Sequence, residues 1–331
     1  MGERGDRTKA RNEATARIMA ATLTLITREQ TALAEPYSLW NPTLKAWEIR
    51  QMAHEVADSK AQVLWVEESH PALGLMAMKK RELESSLLGY GSAMLKGPFL
   101  VDPDPASRQK KTLSLALKAR ELARKNSFKF LTAKTTHDPA VLRGFMEANF
   151  SLAEIITCLA GPIAEMKKKE TSKKKLLGLS IEVPDPQEAQ AILEELGDLF
   201  YDGHHLHGPY LSGDFSGRLW SKVAERDLKN NNPALVVRDI RQNRSIGIAI
   251  AYLVGQEAML SILHVDESRR GKGIGGELLR ELMILLYEKG AISLSAETAS
   301  WNLPALSLYI SLGLRPISPL VALHSMEGAK R

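Results

Sequence analysis

The 331-residue chain has one cysteine, few aromatic residues and no long apolar run. A lone Cys158 excludes an intramolecular disulfide and a zinc site built on cysteines, and its apolar setting in residues 153–160 predicts a buried strand position. No apolar stretch has the length of about 20 residues that a membrane-spanning helix needs. The short apolar stretch at residues 18–26 is interrupted by threonines and followed by charges at residues 27–30. This pattern favours an amphipathic helix over a signal peptide, and we expect a cytoplasmic protein with no membrane partner.

Charge of one sign is also modest, since the formal net charge is +5. Much of it lies in the run Lys167–Lys175, which contains no aromatic residue. A nucleic-acid groove needs basic residues spread over a face with aromatic stacking partners, so we expect no nucleic-acid partner. The run instead predicts a solvated linker at residues 166–176, in a chain long enough for two globular domains.

A glycine-rich turn is the most informative feature that is present. The predicted strand ending at Val265 leads into a turn that opens directly into a predicted helix; its glycines are Gly271, Gly273, Gly275 and Gly276. Glycines let the backbone turn tightly, and the unpaired N–H groups of a first helical turn attract anions. The turn therefore predicts a phosphate-binding cradle. It is not a Walker loop, because no Lys-Ser/Thr pair closes it.

The same glycines also match a dinucleotide fingerprint, with Glu297 near the position of a ribose-binding acid. That fold needs several more strand–helix units, whereas the chain ends at residue 331. The preceding segments 234–238, 245–254 and 258–265 moreover predict consecutive antiparallel strands joined by short turns. We therefore disfavour the dinucleotide interpretation.

Two motifs carry a family resemblance. Residues Arg270–Gly275 fit the pattern Arg/Gln-x-x-Gly-x-Gly/Ala, and Asn302, Ala305, Tyr309 and residues 312–314 follow in the order Asn-x-x-Ala-x-x-x-Tyr and Leu-Gly-Leu. Together they resemble the pyrophosphate loop and the closing signature of the GNAT acyltransferase superfamily. The resemblance implies an α+β fold whose mixed, mostly antiparallel sheet is flanked by helices, with acetyl-CoA as cosubstrate.

The resemblance also implies a reaction, the direct transfer of an acetyl group from acetyl-CoA to a primary amine of a small molecule. Tyr309 would be the general acid that protonates the CoA thiolate. The strand position of the glutamate base of some members falls on Met259, so the general base is unassigned, with Glu257 and His264 nearby. The residues implied to bind the cofactor are Leu263, His264, Val265, Arg270, Gly271, Lys272, Gly273, Ile274, Gly275, Gly276 and Asn302.

An internal repeat accounts for the rest of the length. A shift of 164 residues superposes residues 101–102 on 265–266 and residues 149–150 on 313–314 without a gap. The first copy has Ala106–Lys111 where the second has its cradle, and it has no glycine there. Phe145 likewise replaces Tyr309, which loses the hydroxyl.

The repeat predicts two tandem GNAT-like domains. Residues 1–165 would form a degenerate domain that lacks the CoA loop, and residues 177–331, after the linker at 166–176, would form the catalytic domain. Because Cys158 lies in the first copy, we expect no acyl-enzyme intermediate.

Acceptor contacts are expected in the segment before the second sheet. This segment, residues 200–215, loosely resembles the dTDP-fucosamine acetyltransferase branch, which acetylates the amine of a nucleotide-linked sugar. The candidate acceptor-binding residues are His204, His205 and Tyr210. A metal site at His204, His205 and His207 is disfavoured, because no carboxylate or cysteine framework accompanies them.

A protein that binds CoA without catalysis, or senses acyl-CoA, is the alternative. The enzyme is favoured because the cradle and Tyr309 occur in the same copy. The identity of the amine, the length of the acyl group and the formation of a homodimer are left open by the sequence.

Overall fold

The structure is a computed structural model that describes residues 61–65, 74–100, 102, 104–164, 178–197, 210–211 and 214–328. No helix in these segments is long and apolar enough to cross a membrane. The strands in these segments are β1 (Ala61–Trp65), β2 (Gly74–Lys80), β3 (Gly91–Leu100), β4 (Phe128–Thr136), β5 (Ser151–Pro162), β6 (Leu179–Glu182), β7 (Ala234–Asp239), β8 (Arg244–Val254), β9 (Glu257–Val265), β10 (Ser293–Ala299) and β11 (Arg315–Met326). The α-helices are α1 (Glu82–Leu88), α2 (Pro105–Lys125), α3 (Pro139–Glu147), α4 (Ala189–Leu196), α5 (Phe215–Lys229), α6 (Ile274–Glu288) and α7 (Leu303–Leu312).

The described residues form two compact units. Unit 1 holds those up to Ile155, together with Tyr210 and those from Ser318 onward, and unit 2 holds the remainder. Each unit has a mixed sheet and helices, so the α+β prediction is confirmed. The domain boundaries near residues 165 and 177 stay predictions.

Unit 2 contains the predicted antiparallel strands, each within one residue of its expected bounds. Its strand order is β5-β10-β9-β8-β7-β6, and only β9 and β10 run parallel. α6 follows β9, and its apolar stripe is buried against the sheet because its leucines recur at helical spacing. Gly290, at φ 87°, ends the α6 segment in the left-handed conformation that favours glycine.

Unit 1 repeats this pattern. Its strand order is β1-β2-β3-β4-β11, and only β3 and β4 run parallel. The final strands β5 and β11 have bounds that differ by the predicted 164 residues at both ends. The residues that end α3 and α7 also correspond, because Asn149 at φ 63° and Gly313 at φ 107° are both left-handed. The internal repeat is therefore present in the fold.

Each unit has its own hydrophobic core. Leu115, Phe145 and Phe150 lie in the core of unit 1, and Leu278, Leu282 and Leu294 lie in that of unit 2.

The final strand of each copy is shared between the units. In β5, residues 151–155 belong to unit 1 and residues 156–162 to unit 2, and in β11 the division falls between Ile317 and Ser318. Cys158 therefore lies in the final strand of the first copy but belongs to unit 2. Cys158 is buried, as predicted, and is in register with Glu297 of β10. A sequence repeat could not show this, because strand pairing rather than chain order assigns a terminal strand to a sheet.

Candidate active site

A gap opens between the parallel strands β9 and β10. The two strands pair only at Glu257–Met259 with Ser293–Ser295, although β9 continues to Val265 and β10 to Ala299. The Asp266 N–H donates to the Ile246 carbonyl on β8 at 2.9 Å. Alternation along an extended strand then directs the His264 N–H toward β8, and the N–H groups of Leu263 and Val265 toward the gap. The gap therefore has backbone hydrogen-bond donors on its β9 side.

A β-bulge lies where β9 leaves β10. On β8, Ile250 is opposite Ile262 and the next residue, Ala251, is opposite Leu260, so Ser261 is an extra residue. Such a bulge bends a strand and redirects its side chains. The bulge thus lies between the paired part of β9 and the part that borders the gap.

The glycine turn has the geometry of an anion cradle. Gly271 at φ 75° and Gly273 at φ 84° adopt left-handed conformations that side chains rarely adopt. Gly273 is the N-cap of α6, and no side chain caps this helix end. The N–H groups of the first turn of α6 therefore point outward without a side-chain acceptor, beside the positive end of the helix dipole. A diphosphate of the CoA type fits this arrangement.

Ion pairs fix the segment that leads into the cradle. Asp266 pairs with Arg244 at the start of β8, and Arg269 pairs with Asp239 at the end of β7 at 2.6 Å. The Arg270 Nε also donates to the Val265 carbonyl at 3.0 Å. The cradle is thus attached to three strands of one sheet, which preorganises it for a ligand.

Within the predicted cofactor set, side chains and backbone have different surroundings. The Ile274 side chain is buried in the core of unit 2, and those of Leu263 and Val265 pack against that core. Ile274 therefore offers only its backbone to a ligand, whereas the side chains of Leu263 and Val265 are partly exposed. The Lys272 ammonium group donates to the Ser268 carbonyl at 3.1 Å, which holds its charge beside the turn.

Tyr309 lies on α7 and is 6% exposed, among the core residues of unit 2. Burial raises the pKa of its phenol to about 12, because a phenolate is poorly solvated there. The phenol is therefore neutral over the physiological range. That protonation state is the one that a general acid needs.

Asn302 is the N-cap of α7. Its Oδ1 accepts a hydrogen bond from the Ala305 N–H at 3.3 Å, and its Nδ2 donates to Thr298 Oγ1 at 3.1 Å. Asn302 therefore joins the end of β10 to the helix that carries Tyr309. Its contact with a cofactor stays a prediction.

His264 is buried on β9, and its side chain alternates with those of Leu263 and Val265. It therefore points to the face of the sheet opposite α6. Desolvation, with the positive charge of Arg270, lowers the pKa of its imidazole to about 4. His264 is consequently neutral at pH 7.

The structure also places two residues at this site that the sequence analysis missed. Ser261 Oγ, at the bulge, donates to Asp227 Oδ2 on α5 at 2.8 Å, and Asp227 is 2% exposed. Asp227 follows Leu219 and Val223 at helical spacing, and both of these are buried. A carboxylate on the apolar stripe of a helix was the signal that could have identified it.

Of the predicted acceptor residues, the structure describes Tyr210 alone. His204 and His205 lie outside the described residues, as does His207. Tyr210 belongs to unit 1, where its hydroxyl lies 3.4 Å from Ser151 Oγ at the start of β5. Within the segments that the structure describes, no group of histidine, cysteine and carboxylate side chains could hold a metal ion.

The matching turn of unit 1 is filled by carboxylates of the chain itself. Asp104 is the N-cap of α2 and accepts from the Ser107 N–H at 2.8 Å. Asp102 accepts from Ser107 Oγ at 2.5 Å and from the Lys111 ammonium group. These hydrogen bonds, that of Lys111 first, lower the pKa of Asp102 to about 2, so it is ionised. The helix end that is uncapped in unit 2 thus has side-chain carboxylates of the chain beside it in unit 1.

Part of the chain matches a family of known proteins. Residues 191–314 match the family described as Acetyltransferase (GNAT) family. The chain is 26% identical over 87 residues to thialysine N-epsilon-acetyltransferase of Sus scrofa, a match that covers 25% of this chain and 51% of that protein. The match thus spans about half the length of this curated relative.

Two solved structures share the fold over most of the chain. A tandem GNAT protein from the clavulanic acid biosynthesis pathway has 15% identity and a TM-score of 0.58, with 95% of this chain and 97% of that chain covered. A GCN5-related N-acetyltransferase from Sphaerobacter thermophilus has 14% identity and a TM-score of 0.58, with 83% and 85% covered. At these identities the likeness concerns the fold.

Proposed function

We propose that this chain is an enzyme of the GNAT acetyltransferase family, whose model its residues 191–314 match, and that it transfers an acetyl group from acetyl-CoA directly to a primary amine of a small molecule. The observation that carries the proposal is the coincidence in unit 2 of an uncapped, glycine-initiated helix, a gap between parallel strands and a buried neutral tyrosine. Unit 1 retains the strand pattern but has Asp104 at the helix end and Phe145 in place of the tyrosine.

The backbone of unit 2 binds and orients the donor. N–H groups of the Gly273–Gly276 turn bind the diphosphate, with Arg270 and Lys272 adding positive charge. N–H groups of Leu263 and Val265 face the gap and polarise the acetyl carbonyl. Tyr309 donates its proton to the departing thiolate.

For the acceptor, we propose an amino sugar as the first class to test. The loose similarity of residues 200–215 to the dTDP-fucosamine branch supports this choice, with His204, His205 and Tyr210 as candidate contacts. The name of the Sus scrofa relative supports a second class, the ε-amine of thialysine-like amino acids.

For the domains, we propose that residues 1–165 are a non-catalytic GNAT-like domain and residues 177–331 the catalytic one. The repeated strand order of the two units supports a tandem origin. The division of β5 and β11 between the units supports a role for the first domain in completing the sheet of the second.

The test combines binding with turnover. Acetyl-CoA is titrated calorimetrically into the wild type, and free thiol is then measured with an amine panel of glucosamine, a dTDP-linked amino sugar, lysine and thialysine. Gly273→Glu places a carboxylate in the cradle and strains its left-handed backbone, so we expect it to lose acetyl-CoA binding.

Gly255→Glu is the matched control. Gly255 has φ 61° in the turn between β8 and β9, at the end of β9 remote from the cradle, and a Cβ there meets no atom within 4 Å. It carries the same backbone strain and the same added charge, and we expect it to bind acetyl-CoA like the wild type. Wild-type binding without thiol release across the panel would favour the acyl-CoA-sensing alternative, and absence of binding would refute both functions.

A further inference from the structure

A buried carboxylate contacts the bulge of β9, and the donor-binding elements do not explain it. Asp227 lies in the last turn of α5, where the negative end of the helix dipole disfavours a carboxylate. It is 2% exposed, and burial of a charge is costly unless it is paired. Arg226 donates to Asp227 Oδ1 from Nε at 2.9 Å and from Nη2 at 2.6 Å, so the ionised form is compensated.

The other carboxylate oxygen points to the bulge. Oδ2 of Asp227 accepts from Ser261 Oγ at 2.8 Å. Ala258 and Leu260 of β9 contribute to the core that contains α6, whereas this hydrogen bond draws Ser261 toward α5 on the opposite face. Ser261 is partly exposed and Asp227 is buried, so the serine hydroxyl can connect the carboxylate to a molecule at this face.

We propose that Ser261 and Asp227 form the proton-accepting pair for the amine. The proposal rests on the proposed acetyl transfer and fills its missing base. Ser261 is the catalytic residue that contacts the amine, and Asp227 is a positioning residue that acts through it. Met259, on which the glutamate position of some family members falls, has a thioether that takes no proton, and the Tyr252 hydroxyl contacts it.

The proton and electron transfers balance. The amine lone pair forms the C–N bond with the acetyl carbon, and the amine N–H proton passes to Ser261 Oγ while the serine proton passes to Asp227 Oδ2. The C–S bond breaks, its electron pair stays on sulfur, and Tyr309 protonates the thiolate. Solvent then returns the proton from Asp227 to Tyr309, which restores both groups.

Four variants test the pair with the amine of the panel that the wild type acetylates fastest. Asp227→Asn keeps an acceptor oxygen for Ser261 but cannot take a proton, and Ser261→Ala removes the relay. We expect each to lower kcat about 100-fold at pH 7, a typical contribution of acid–base catalysis, with the acetyl-CoA Kd within twofold of wild type.

Ser261→Thr keeps the hydroxyl on a residue that strands tolerate, and we expect at least a tenth of the wild-type kcat. Glu225→Gln, on the same helix, controls for loss of a carboxylate that is only ion-paired to Lys222 and Lys229.

The pH profile separates catalysis from structure. In Asp227→Asn, we expect log kcat to rise with pH more steeply than in the wild type. Without the pair, the amine N–H proton must pass to a base from solvent, and the concentration of hydroxide rises with pH.

The pair is refuted if Ser261→Ala and Ser261→Thr are equally impaired, if Ser261→Ala keeps kcat within threefold, or if kcat and acetyl-CoA affinity fall together. If Asp227→Asn fails to fold, the comparison of the two Ser261 variants decides. A wild type that acetylates no amine refutes the proposed function itself and this pair with it, whereas an active wild type with an equally active Ser261→Ala refutes only the pair.

Discussion

Tyr309 and Phe145 occupy the same position in the two repeats, on α7 and α3, and each is buried in the core of its own unit. Tyr309 is 6% exposed and Phe145 is 0% exposed. The core of this fold therefore accepts either ring at this position, and the hydroxyl is the difference between the copies.

Tyr309→Phe should separate catalysis from packing. We expect the free energy of unfolding to change by less than about 1 kcal/mol, because the ring volume is retained. We expect kcat to fall about 100-fold or more while the acetyl-CoA Kd is unchanged, since the thiolate loses its proton donor. Steady-state kinetics with calorimetry measures both, and a Tyr309→Phe enzyme with wild-type kcat would remove Tyr309 from the mechanism.

The raised pKa of Tyr309 adds a pH signature to this variant. With a pKa of about 12, the phenol stays protonated below pH 11, so the wild-type kcat should not decline between pH 8 and 10. A decline near pH 10 that disappears in Tyr309→Phe would contradict the desolvated environment.

The sequence predicted those parts of the molecule that depend on local pattern. Alternation and turns located β7, β8 and β9, the leucine stripe located α6, and the glycines located a cradle whose Gly271 and Gly273 are left-handed. Asn149 and Gly313 matched across the repeat because chain reversal after a short helix favours a left-handed residue.

The sequence could not predict what depends on pairing between distant segments. Cys158 lies in unit 2 because the second half of β5 pairs with β10, a register that no local pattern encodes. The contact between Ser261 and Asp227 likewise depends on a bulge in β9 and on the docking of α5. Met259 lies two residues before Ser261, the bulge residue whose hydroxyl contacts the carboxylate of Asp227.

One acetyl-CoA per chain is expected. In unit 1 the N-terminus of α2 is capped by Asp104, and the ionised Asp102 lies beside it, so a diphosphate would meet negative charge there. Calorimetry should give a stoichiometry of one, and Gly273→Glu should remove all of the heat. A stoichiometry of two, or binding that survives in Gly273→Glu, would show that unit 1 also binds the donor.

His264 should make the protein sensitive to acid. Its pKa is about 4 in the folded state, mainly through desolvation, and about 6.5 in an unfolded chain. Because the unfolded state takes up the proton first, the stability that His264 contributes above pH 6.5 is lost as the pH falls toward 4, by about 3 kcal/mol in all.

Urea unfolding of the wild type and of His264→Gln at pH 7 and pH 4.5 measures this effect. The variant should lose less stability on acidification than the wild type. His137→Gln, a substitution of an exposed histidine, should follow the wild type. Equal acid sensitivity of all three proteins would place the destabilising protonation elsewhere.

The sharing of β5 predicts which fragment of the chain folds. A fragment of residues 177–331 lacks the strand that pairs with β10 from Ile156 to Pro162, and it lacks the core residues Leu159 and Ile163. It thus leaves β10 as an exposed edge, and we expect it to aggregate or to bind no acetyl-CoA. A fragment of residues 150–331 restores this strand and should bind acetyl-CoA more tightly than the shorter one. If residues 177–331 alone bind acetyl-CoA and turn over amines as the full chain does, then β5 contributes nothing essential to unit 2, and the first copy is dispensable for the site.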